Sequence, residues 1–166
     1  VEGLWMLAVD GNVFIPAVDG GFSKAPLAQG GEYSNILAFK RHLTLWISRV
    51  ADEAKKRGKT LISFTHYPMV DFHDNASNDL KSLFGKDKMQ LFRVPDDSIA
   101  AVFAGMGIKI HFAGHLHVND TGFRDFGENG FIVNVQVPSL AGYPAAYKIL
   151  TIRNKKSMEV ETARID

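Results

Sequence analysis

The stretch TLISFTHYP, Thr60 to Pro68, decides the fold. Thr60 to Thr65 is a short, continuous run of β-branched and apolar residues, the pattern of a strand buried on both faces. It follows a helix directly and ends in His66-Tyr67-Pro68. A second stretch of the same design, IKIHFAGHLH, spans Ile108 to His117: a buried strand from Ile108 to Ala113, then Gly114-His115-Leu116-His117. Two helix-then-strand units imply a layered α/β fold. Both strands end in histidine at their carboxyl ends, the edge where open α/β sheets bind ligands.

Working outward, Ser34 to Arg57 carries Ile36, Leu37, Phe39, Leu43, Trp46, Ile47, Val50, Ala51 and Ala54 at helical spacing, which predicts one long amphipathic helix. Ser34 or Asn35 can cap its start, Lys55 to Arg57 suit its last turn, and Gly58 can take the left-handed position beyond it. Ser98 to Met106 reads as a second helix, capped by Asp97 or Ser98 and stopped by Gly107. Leu4 to Val9 and Val13 to Ile15 read as short β segments around the turn Asp10-Gly11-Asn12, and Asp19 to Gly31 as a glycine-rich loop. Residues 71–95 are polar, with a short helix at Asn78 to Phe84, and are long enough for a lid or binding loop. The end of the chain is β-rich: Phe131 to Val137, then Tyr147 to Arg153 and Met158 to Ala163 joined as a hairpin.

Composition narrows the function classes. The chain has 166 residues, 46% hydrophobic and 22% charged, as in an ordinary globular domain. Nineteen Lys plus Arg against eighteen Asp plus Glu leave a net charge of +1, without a block of like charges to serve as a nucleic-acid footprint. No run of about 18 apolar residues suggests a membrane segment. The absence of cysteine excludes disulfides, thiolate metal sites and cysteine nucleophiles. It leaves the compartment open.

The chemistry is therefore expected at His66, His115 and His117. Neutral imidazole is a common ligand for zinc, iron and manganese, and histidines two apart on an extended segment share a face. Gly114 permits a tight turn beside them. His111, inside the strand, is expected in the core, and His42 on the solvated face of the long helix.

The pair His66-Tyr67-Pro68 and Gly114-His115-Leu116-His117, each after a buried strand and 49 residues apart, resembles the last two motifs of the calcineurin-like metallophosphoesterases. The upstream order is also similar: a strand leading to Asp10, a glycine-rich loop, and a long helix with a tryptophan. The resemblance implies an α/β sandwich of the metallophosphoesterase type, of which residues 1–166 would be the C-terminal half, with a mixed sheet, helices on one side and a β-rich C-terminus. It implies that His66 and His115 bind one metal of a dinuclear centre of manganese, iron or zinc, and His117 the other. The implied activity is phosphatase or phosphodiesterase, with a hydroxide held by the two metals attacking phosphorus.

The chain departs from the family pattern in lacking, in order, Asp-x-His, Gly-Asp and Gly-Asn-His, which supply the bridging aspartate and the remaining ligands. Asp71-Phe72-His73 has the letters of the first motif but follows His66, and Asp10-Gly11-Asn12 has no successors. The expectation is thus a piece of a longer enzyme, binding metal weakly or singly, inactive alone, and self-associating through an unpaired sheet edge. Two alternatives stand beside it. One is a non-catalytic binding module using residues 19–31 and 71–95. The other is a mononuclear three-histidine zinc hydrolase with Asp71, Asp74 or Asp120 as base. Tyr67, Asn119, Tyr143 and Tyr147 are candidates to line a cleft.

Overall fold

The computed structural model describes residues 2–11, 13, 35–89, 91, 94–154 and 157–165. The glycine-rich loop, Val13 to Ile15 beyond Val13 itself, Ser34 and most of the last hairpin's turn lie outside them. Thr60–Thr65 forms β2, between β1 (Leu4–Ala8) and β3 (Ile110–Ala113). All three run parallel, as does β5 (Phe131–Gln136) beyond β3, while β4 (Thr121–Asp125) closes the far edge antiparallel to β5. The protein is thus mixed α/β with a mostly parallel five-stranded sheet. The hairpin β6 (Ala146–Asn154) and β7 (Ser157–Arg164) forms a separate two-stranded sheet.

The helical stripe folds as two helices, α1 (Asn35–Phe39) and α2 (Arg41–Lys56), rather than the single one its periodicity predicts. The break is at Lys40, whose backbone leaves the helical region at φ −124° and ψ 44°. The stripe consequently splits, and Phe39 and Trp46 remain exposed while Ile36, Ile47, Ala51 and Ala54 are buried. The other end is as expected: Gly58 takes φ +61°, and Lys59 N–H and Gly58 N–H close on the carbonyls of Ala54 and Lys55. Between β2 and β3 come α3 (Ser77–Phe84) and α4 (Ser98–Gly105), the latter ended in the same way at Gly107. Asp97 does not cap α4; its carboxylate accepts from Arg124 Nε of β4 at 2.6 Å, and Asp96 caps Ser98 N–H instead.

One buried cluster joins Ile47 and Ala51 of α2, Ile99, Phe103 and Ala104 of α4, and Leu7 and Ile132 of the sheet, so the helices cover one face. The other face is more open. β2 is not buried on both sides, because Phe64 is 37% exposed there, and Met6 of the adjoining β1, in register with Ile62, is 65% exposed. The β6–β7 hairpin leans over this face, where Lys148 and Leu150 with Met6, Ile62, Phe64 and Phe112 line a groove of about 380 Å³. Among the described residues no helix is long and apolar enough to cross a membrane.

After β2 the chain crosses the helix-side face of the sheet as a strap, His66 to Asp71, whose Met69 and Val70 are fully buried in the core. Its passage depends on Gly122 in β4. A Cβ there would stand 2.5 Å from Val70 Cγ2 and 3.3 Å from the Asp71 carbonyl oxygen. Gly122→Ala is therefore expected to cost about 1–3 kcal/mol by overpacking, measured as a drop in the urea midpoint at unchanged slope.

Candidate metal centre

The register of the parallel strands brings the two histidine motifs together. Thr65 pairs with Ala113 and Ala113 with Gln136, so β2, β3 and β5 end in one row. Gly114 N–H donates to the His66 carbonyl at 3.2 Å, carrying that row one step further. His66 and His115 then meet across the edge: His66 Nε2 and His115 Nδ1 are 2.8 Å apart, with ring centroids at 4.8 Å and planes nearly perpendicular. Tyr67 packs against both rings, at 5.0 Å from His66 and 4.8 Å from His115.

The Gly-His-Leu-His segment is not extended. His115 and His117 both take left-handed backbone, φ +70° and +57°, and Leu116 N–H turns back to the Gly114 carbonyl at 2.8 Å. The shared face expected of alternate residues on a strand is lost. His115 turns against His66 and is half-buried, whereas His117 stands exposed outside that pair. Two non-glycine residues in this region cost roughly 1–2 kcal/mol each, and such strain is retained where function requires the side chain. His117→Gly is accordingly expected to raise the melting temperature by about 2 °C while weakening any metal binding that His117 supports. Calorimetry of the metal-free chain measures the first effect and a cobalt(II) titration the second.

Buried polar groups gather at the same edge. Thr65 Oγ1 and both amide atoms of Gln136 are buried there without hydrogen-bond partners, as is Asn134 Nδ2 two residues back along β5, each at a cost of about 1–3 kcal/mol. Asp71 is occupied differently from the role of general base offered by its position in sequence. Its carboxylate accepts from His73 N–H at 2.8 Å, Ser77 Oγ–H at 2.5 Å and Ser77 N–H at 3.3 Å, which ties the strap to the start of α3. With Phe72 and Leu91 also buried, the 71–95 connection is anchored to the body of the fold near both its ends. Asn119 accepts from Lys148 Nζ and so links the histidine loop to β6; burial pushes that ammonium down, with Asp120 acting against it. Tyr143 is fully exposed and Tyr147 partly so.

The donor set fits one divalent ion better than two. Two nitrogens bound to a single ion at about 2.05 Å stand roughly 2.9–3.4 Å apart for angles from square to tetrahedral, so the 2.8 Å pair needs only a slight opening. Among the described residues no group of three or more His, Cys, Asp or Glu side chains converges to hold an ion. Compared with known proteins, the chain matches no family model and no curated protein at a significant level.

His111 stands apart from this edge. It is fully buried in β3, and burial pushes its imidazole from 6.5 down to about 3, the Tyr67 carbonyl opposing the shift. It is neutral at any physiological pH. Ser63 and Asn134, its in-register neighbours, escaped sequence reasoning; the signal for them was a polar residue inside each apolar strand.

Proposed function

We propose that this chain carries the histidine side of a metallophosphoesterase active site, with His66 and His115 holding one divalent ion at the carboxyl edge of the sheet. The observation that carries this reading is the 2.8 Å approach of His66 Nε2 to His115 Nδ1 from two separate strand ends. Hydrogen-bonded to each other, one ring donates its N–H to the other, and a shift of that proton to the donor ring's second nitrogen would leave two neutral imidazoles with lone pairs directed at the same point. A divalent ion there would polarise a phosphoryl oxygen and lower the pKa of bound water. Tyr67 shields one side of the pair and fixes the ring planes. His117, exposed two residues beyond His115 and outside the pair, would in this reading serve a second ion or a phosphoester from the solvent side.

The carboxylates that would bridge two ions are not supplied by the described residues. The chain alone is accordingly expected to bind one ion weakly and to hydrolyse a chromogenic phosphodiester with manganese no faster than its His117→Ala variant. Metal-dependent turnover lost in that variant would show instead a complete site. Among the described residues β1 is an edge strand, and this edge with the half-exposed sheet face also favours self-association of the chain. Sedimentation velocity at rising concentration checks this, a monomer throughout counting against it.

A further inference from the structure

One register row crosses the helix-covered face of the sheet: Ser63 of β2, His111 of β3 and Asn134 of β5. Their exposures are 0%, 0% and 1%. Three polar side chains in the middle of a buried face are costly unless their hydrogen bonds are met. Here the bonds lead out of the row to the strap. His111 Nε2 lies 3.3 Å from the Tyr67 carbonyl and must donate to it, so Nδ1 accepts from Ser63 Oγ–H at 2.8 Å. Asn134 Oδ1 accepts from Met69 N–H at 2.9 Å, although its own amide nitrogen goes unpartnered. The Asn134 side chain thus retains a desolvation cost in exchange for one bond to the strap.

We infer that Ser63, His111 and Asn134 are positioning residues that clamp the backbone on the far side of His66 and so aim its ring at His115. The strap between the clamped atoms is only Tyr67 to Met69, too short to let His66 swing independently. Ser63 fixes the tautomer of His111, His111 holds the Tyr67 carbonyl, and Asn134 holds the next turn of the backbone. The inference rests on the proposed metal site for its metal readout, and on ring geometry alone for the other.

The test compares the wild-type chain with His111→Leu, His111→Gln, Asn134→Ala and Ser63→Ala. Gln restores an N–H donor near the position of Nε2. The first readout is the long-range proton–nitrogen imidazole spectrum of the metal-free chain, which reports the hydrogen bond between His66 and His115. The second is cobalt(II) affinity and its visible absorption. Loss of the paired ring signals in His111→Leu and Asn134→Ala, an affinity lowered by about tenfold, and recovery of both in His111→Gln are expected. Ring signals and affinity unchanged in Leu and Ala variants that remain folded would overturn the inference. If His111→Leu does not fold, Asn134→Ala and Ser63→Ala each remove one arm and decide it. If the wild type binds no cobalt, the metal reading fails by itself, and the ring spectrum still decides the positioning role.

Discussion

Replacing either His66 or His115 with alanine is expected to lower the affinity of the chain for manganese or zinc on the order of a hundredfold, because loss of a ligand should cost at least what loss of its supporting residues does. Neither change should unfold the protein. His66 is exposed and His115 half-buried, and surface substitutions are usually worth within about 0.5 kcal/mol. His42→Ala, on the exposed side of α2, is the control and should leave affinity unchanged. Isothermal titration of the four proteins separates the outcomes. Equal weakening by both site variants supports a shared ion, while an effect of one alone would assign that histidine to a different partner.

The second large effect concerns acid. The His111 ring is neutral when folded, and burial holds its pKa at about 3 against 6.5 in the unfolded chain. The unfolded state therefore takes up a proton first as pH falls. The stability contributed by this group is whole above pH 6.5 and is lost as pH drops toward 3. The linkage slope amounts to roughly 2 kcal/mol by pH 5 and 4 kcal/mol by pH 3.5. Urea unfolding from pH 7.5 to 4 measures it. His111→Gln, which does not titrate, should flatten the curve across that range, and an unchanged acid limb in that variant would assign the loss to other groups.

How far the sequence spoke can be read from particular residues. β2 and β3 were legible as parallel strands because each is a short apolar run directly after a helix, although the cover on both faces that such a run implies is missing at Phe64. Gly58 and Gly107 marked helix ends because a left-handed turn is cheapest for glycine. The break at Lys40 was not legible: no proline or glycine stands there, and the apolar spacing runs straight through it. β4 went unnamed because Thr121 to Asp125 is short and polar, and it is held by pairing with β5. At the candidate site the meeting of His66 and His115 followed from both lying just past adjacent strand ends. The separation of His117 from them did not, since it depends on left-handed backbone at two non-glycine residues. Asp71 looked available by its neighbourhood in sequence and is instead engaged by His73 and Ser77, an arrangement only the folded strap creates.

The most direct measurement is a crystal of this chain soaked in zinc and recorded at the zinc absorption edge. An anomalous peak about 2.0–2.1 Å from both His66 Nε2 and His115 Nδ1, with the rings opened slightly from their mutual hydrogen bond, is the predicted result. Rings still 2.8 Å apart with no peak between them, or a peak on His117 alone, would contradict the account.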